Sequence, residues 1–241
     1  DLAGLYRGAG YLGINRWAVT QYAGVTPSDA IAWELVGTSR LEGLVIDRYL
    51  LHHSRLLALP LLHFRTSEKR GGKVLLWFSE RGKATQEDWA EIKGLIGQGY
   101  EVLSFDFRGL GEDRMPYSVA SGDDPAISPR EFDRAYMSTL SGVLANYVYN
   151  SLLTGRAYFL EMIEDAEIVS RFATERLRPA ESYVAGKGDA YTVAWAISEV
   201  VPGVRLLSGA GQNTLRWSDL VEQKSETWPI WFLLPAGAYL R

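Results

Sequence analysis

Apolar positions in this chain follow two rhythms: short unbroken runs, and stretches where they recur every three or four residues. Residues 73–78 (KVLLWF) and 100–105 (YEVLSF) are runs of the kind expected for parallel strands buried on both faces. Between them Trp89, Ile92, Leu95 and Ile96 mark the buried face of a helix over 88–97, with Gly99 beyond it as the stop. Strand, helix and strand at this spacing predict a right-handed βαβ unit. Residues 182–185 and 204–208 read as further buried strands, separated by Ala190, Val193, Ala194 and Ile197 at helical spacing. Residues 44–51 and 56–64 predict a hairpin around His52-His53-Ser54-Arg55, and 229–234 (PIWFLL) a seventh strand or the apolar wall of a loop. The fold class is α/β: a doubly wound, mainly parallel sheet with helices on both faces.

Elsewhere the pattern is looser. Residues 1–42 read as an irregular arm, with Gly4, Gly8, Gly10 and Gly13 among Tyr6, Tyr11 and Trp17. Within it, Ser28 or Asp29 caps a predicted short helix over 30–36. Residues 43–241 form the main domain. Residues 114–150 are an excursion over the site, turn-rich at Met115-Pro116 and at Gly122-Asp123-Asp124-Pro125, where the two aspartates are ordinary solvated turn formers. Phe132, Tyr136, Leu140, Val143, Leu144 and Tyr147 suggest a helix in its second half. A longer helix opens at Thr154-Gly155-Arg156 and runs to about Arg176, burying Met162, Ile163, Ala166, Val169, Phe172 and Ala173. Glu161, Glu164, Asp165 and Glu167 fall mostly on its other face, where solvation explains them.

Composition narrows the function classes. The 241 residues, 47% hydrophobic and 22% charged, suit one large globular domain. A net charge of −4 gives no general pull towards nucleic acid or acidic membranes. There are no cysteines, which excludes disulfides and thiolate metal sites, and no apolar run approaches the roughly 20 residues that span a bilayer. The only histidines are His52, His53 and His63; no carboxylate lies at ligand spacing beside the pair, so a solvated turn explains it better than a metal. Gly8-Ala9-Gly10 lacks the strand and helix that flank a phosphate loop. Gly186-Lys187-Gly188 lacks the upstream glycine and following Ser or Thr of a P-loop. Hence no cofactor, no metal and no nucleic-acid partner are expected. The chain begins at Asp1 rather than Met, which implies a removed upstream segment; a cleaved signal peptide, and so export, is one candidate.

The candidate chemistry lies in residues 181–199, ESYVAGKGDAYTVAWAISE. A strand turning sharply into a helix through G-x-S-x-G is a nucleophile elbow, whose middle residue supplies the attacking hydroxyl. In Gly186-Lys187-Gly188-Asp189-Ala190 that middle residue is Gly188. Upstream, GQGYEVLSFDFRGLGED ends a strand in D-x-R-G-x-G. Together with residues 56–64, KVLLWF and GRAYFLEMIEDAEIV, in this order over about residues 43–210, the chain resembles the α/β-hydrolase superfamily. The likeness is to its bacterial acetyl xylan esterase-like and prolyl-oligopeptidase-like branch. The resemblance implies an α/β-hydrolase-like sheet and a ligand cleft at its C-terminal edge. It also implies an oxyanion turn at Ser79, Glu80 and Arg81, ahead of Gly82, and cleft-lining roles for Asp106, Arg108 and Asp189. Asp219, Glu222 and Glu226 are available as the late acid, Asp219 being the candidate.

This chain departs from that pattern in ways that bear on activity. The elbow serine is replaced by Gly188, no histidine follows His63, and the turn at Ser79 lacks a histidine and carries one glycine. Glycine relieves the backbone strain that an elbow nucleophile must bear. Lys187 is a conceivable base but has no hydroxyl opposite it in the motif, and Asp189 is explained by the helix dipole. Three functions follow as expectations: a degenerate, non-catalytic acetyl xylan esterase-like domain that binds a small ester or glycan; a carbohydrate or carboxyl esterase whose base lies outside this chain; or a structural or interaction domain of a larger exported bacterial protein. The resemblance also predicts a sheet lacking its last strand, with an edge that is covered or forms a homodimer and is blunted by Pro229 and Pro235.

Overall fold

In a computed structural model the described residues are 31–52, 58–68, 72–115, 136, 142–154 and 156–207, apart from the side chain of Asp189. Their strands are β1 (Ala32–Leu41), β2 (Leu44–His52), β3 (Ala58–Thr66), β4 (Lys73–Ser79), β5 (Tyr100–Phe105), β6 (Glu181–Lys187) and β7 (Val204–Leu206). The helices are α1 (Trp89–Gly97), α2 (Val143–Leu153), α3 (Tyr158–Phe172) and α4 (Tyr191–Val200). The strands form one sheet in the order β1-β2-β3-β5-β4-β6-β7. Pairs from β1 to β5 are antiparallel, and β5–β4, β4–β6 and β6–β7 are parallel. Two reversals bring β2 back into line with β5, so five of the seven strands run one way.

Central β4 explains why its sequence is an unbroken apolar run. Val74, Leu76 and Phe78 join one core with residues of α2, α3 and α4, while Leu75 and Trp77 join a second with Ile92, Leu95 and Ile96 of α1. Helices therefore cover both faces of β4 from Val74 to Phe78, which leaves no solvated side for a polar residue in that run. The sheet and layers are those expected of an α/β-hydrolase-like chain.

The helix expected over 30–36 is corrected: from Ala32 onward this stretch is strand β1. A capping signal and spaced apolar residues do not outweigh pairing with β2, and Gly37 and Thr38 disfavour a helix. Glu42 (φ 49°) and Gly43 (φ 82°) both have left-handed backbone, as a two-residue hairpin turn requires, and close β1 onto β2. Residues 229–234 and the proposed missing last strand lie outside the described residues. No helix among the described residues is long and apolar enough to cross a membrane.

Candidate active site

Parallel register brings three strand ends to one edge: Ser79 of β4 lies beside Lys187 of β6, and β5 ends beside β4 at Phe105. At that edge β6 turns through residues 188–190 directly into α4. Gly186 permits the sharp turn, because a Cβ there would sit 2.3 Å from the carbonyl oxygen of Ala190. Gly188 has φ +61°, the left-handed range in which a side chain is strained. A Cβ on Gly188 would lie 2.7 Å from Oε2 of Glu80, so that carboxylate sits at the start of the path a side chain at 188 would take. The backbone of Asp189 belongs to this turn, its side chain is outside the described set, and so is Asp219.

Lys187 points away from the turn. Its ammonium meets Asp88 Oδ1 at 2.5 Å and Glu91 Oε2 at 3.5 Å, at the start of α1. The hydrogen bond to Asp88 holds its pKa above the ordinary lysine value, with Glu91 adding to it. A lysine held protonated in this way, with its ammonium on Asp88 and Glu91, is poorly placed to act as a base at the turn.

The turn after β4 is closed upon itself. Ser79 and Gly82 exchange two backbone hydrogen bonds of 3.1 Å each. The amide N–H of Arg81 donates to the Ser79 hydroxyl oxygen at 3.2 Å, and that hydroxyl donates to Gly82 O, also at 3.2 Å. The N–H groups of Arg81 and Gly82 are therefore already engaged within the turn.

Asp106 and Arg108 are anchors rather than cleft lining, a correction for both. Asp106 is fully buried and accepts from the backbone N–H of Lys83 at 2.7 Å, from that of Glu112 at 3.0 Å, and from the Lys83 ammonium. It ties the turn after β4 to the loop after β5. Gly82 and Gly111 leave the necessary room: a Cβ on either would lie 2.2 Å or 1.9 Å from Asp106 Oδ1. Arg108 reaches down to α3, where its Nε donates to Asp165 Oδ1 at 2.8 Å and an Nη to Glu164 Oε2 at 2.9 Å. Its backbone N–H also donates to Asp165 Oδ2 at 2.9 Å. Glu161 completes the set at 3.8 Å and accepts from the Tyr147 hydroxyl at 2.7 Å. The Tyr158 and Tyr136 hydroxyls donate to the carbonyls of Arg108 and Gly109 at 2.6 and 2.7 Å.

The solvated reading of Glu161, Glu164 and Asp165 is thus overturned. Asp165 is fully buried, and the other two side chains are 12% exposed. Burial pushes the Asp165 carboxyl up to about 6 against the lowering pull of Arg108, so the carboxylate remains ionised at neutral pH. Burial alone would lower the Arg108 guanidinium, but Asp165, Glu164 and Glu161 outweigh it and raise it. Sequence reasoning missed this cluster, although 161, 164 and 165 share one helical stripe by their i, i+3 and i+4 spacing.

Asp113, in the same loop, gives a pH-dependent prediction. Burial, then the charges of Asp106 and Asp165, push its carboxyl up to about 7. An unfolded Asp titrates near ~3.9. With the folded value raised, its contribution to stability is fully present below about 4 and is lost as pH rises through about 7. Asp113→Asn removes that loss. Thermal melts should show the variant gaining about 2–4 °C over wild type at pH 8 and almost nothing at pH 4; an equal shift at both pH values would refute the assignment.

Of the histidines, His63 is buried in β3 with its Nε2 2.9 Å from Glu101 Oε2, near the start of β5 and away from the edge where β4, β5 and β6 end. Three strand spacings separate β3 from β6, about 14 Å. His52 ends β2, and His53 is outside the described residues. No group of three metal-ligating side chains that could hold an ion occurs among the described residues.

No family model and no curated protein matches this sequence. Solved structures do. A protein assigned as an acetyl xylan esterase from Bacteroides fragilis superposes with a TM-score of 0.64 over 95% of this chain at 13% identity. This is an α/β-hydrolase fold. The chain spans 62% of the length of that structure. Acetyl xylan esterase 1 from Thermoanaerobacterium sp. aligns over 82% of this chain and 57% of its own at 13% identity, TM-score 0.49. A glucuronoyl esterase from Solibacter usitatus aligns over 79% of this chain and 55% of its own at 8% identity, TM-score 0.44.

Proposed function

We propose that this chain is a non-catalytic α/β-hydrolase-type domain, a degenerate acetyl xylan esterase-like scaffold whose old cleft binds a small ester or glycan. The observation that carries this reading is the pairing of Gly188 with Glu80: the elbow position has no side chain, and a carboxylate stands where one would begin. Two further features support it. No histidine follows His63 in the sequence, and the Arg81 and Gly82 amides that would face an oxyanion are spent inside their own turn. A second reading, an esterase whose base lies outside this chain, draws on the 62% coverage of the Bacteroides fragilis structure.

The test is a p-nitrophenyl acetate assay on this chain and on any longer form of it that its gene encodes. Neither is expected to exceed a heat-killed control over many turnovers. Turnover by the longer protein alone would establish the second reading, and turnover by this chain would end both.

A further inference from the structure

Strand β1 is the last strand on its side of the sheet among the described residues, and it is exposed along nearly its whole length. Trp33, Leu35, Val36 and Leu41 are 43%, 48%, 61% and 48% exposed, four of the six large hydrophobic side chains exposed to this degree among the described residues. One face is anchored. Trp33 packs edge-on against Tyr49 and Phe172, with ring centroids 5.9 and 6.1 Å away, and the Arg176 guanidinium lies 5.1 Å from the Trp33 ring. The outer edge carries no proline and no lysine; what interrupts it are the charges Glu34 and Arg40 and the bulge at Val36.

We propose that β1 is a self-association edge, pairing antiparallel with β1 of a second copy so that Ala32 stands opposite the copy's Leu41 along the full ten residues. A β-bulge makes this register possible. Opposed residues in an antiparallel pair share a face. Complete overlap of a regular ten-residue strand with itself would set odd positions against even ones, and so opposite faces against each other. Here the register shifts between Leu35 and Gly37, leaving Val36 unpaired with β2. Through their partners Leu51, Tyr49, Asp47 and Val45, the side chains of Trp33, Leu35, Thr38 and Arg40 then share one face. Under a two-fold axis at the strand centre, Trp33 meets the copy's Arg40 and Leu35 meets the copy's Thr38, each on its own face.

Charge selects the antiparallel sense. The first half of β1 carries Glu34 and the second half Arg40, its only two charges, so antiparallel pairing sets the negative half of one strand against the positive half of the other. Arg40 beside the copy's Trp33 adds a cation–π contact. One strand edge buries less than the roughly 1,200 Å² of a tight interface, so the dimer is concentration-dependent.

Val36 flanks the proposed axis and is 61% exposed, so charging it leaves the monomer's packing alone. Sedimentation velocity over a dilution series should show wild type passing from dimer to monomer. Val36→Lys and Val36→Glu should each move that midpoint at least tenfold higher in concentration, with unchanged circular dichroism. Mixing the two variants in equal amounts should recover a heterodimer, since the opposite charges meet across the axis. A monomer at every concentration, as when the edge is filled by the chain's own residues 1–30 or kept for a different protein, overturns the proposal. So does a dimer that neither variant weakens.

Discussion

Arg108→Met is expected to cost about 3–5 kcal/mol of folding stability at pH 8, the range for breaking a buried ion pair from one side. The guanidinium is the counter-charge for Asp165 and Glu161 and shares Glu164 with Arg156 at 3.3 Å, and its side chain is only 18% exposed. Methionine fills much of the same volume, so packing is largely kept and the loss comes from charge. Asp165 is left fully buried with the backbone N–H of residue 108 as its remaining donor from that loop. The loss should shrink at pH 5. Asp165 already titrates near about 6 because of burial, and without Arg108 it takes up a proton more readily, which removes the stranded charge. Urea unfolding at both pH values measures this. A variant within ~1 kcal/mol of wild type at pH 8 would show that the cluster contributes no more than a surface pair.

That cluster also marks where the sequence stopped being readable. β4, β5 and β6 were legible because a strand covered on both faces must be a continuous apolar run, and α1 because it buries a single stripe. β1 was not, because neither of its faces is deeply buried and its residues therefore carry no period. The signal present there was local: Glu42-Gly43, a turn whose two residues both adopt positive φ. The carboxylates of α3 were read as solvated since charge is normally outside. Only the long-range approach of Arg108, fifty-seven positions upstream of Asp165, reverses that.

The β6–α4 turn shows both sides of the same lesson. Its glycines announced a tight strand-to-helix turn, because the approach of Gly186 to Ala190 excludes any Cβ. Nothing in the spacing of residues 79–82 announced that Glu80 would stand over Gly188. That contact follows from the pairing of β4 with β6, which sets Ser79 beside Lys187. The absence of a side chain at 188 was thus visible in sequence, and the carboxylate that a Cβ there would meet was visible only in three dimensions.

Gly188→Ser is expected to introduce a hydroxyl at the β6–α4 turn without producing turnover. The substitution has two structural costs: a non-glycine residue at φ +61°, about 1–2 kcal/mol, and displacement of the Glu80 carboxylate, whose Oε2 would lie 2.7 Å from the new Cβ. Glu80 is the end of a flexible side chain, so the serine fits once it swings aside, and Glu80→Ala in the same protein removes the obstacle altogether. Neither variant supplies a base. His63 is buried against Glu101 about 14 Å of sheet away, and Lys187 is held protonated by Asp88. Without base and oriented nucleophile together, a serine hydrolase loses roughly 10⁶-fold in kcat, and the Arg81 and Gly82 amides beside β4 are bonded within their own turn. Both Gly188→Ser and the double variant should therefore stay at the level of a heat-killed control with p-nitrophenyl acetate. Intact mass would at most show one slow acetylation per chain, at residue 188. If the double variant turns over and the single one does not, Glu80 alone blocks an otherwise competent site, and the domain is an esterase silenced by one carboxylate rather than by the loss of its base.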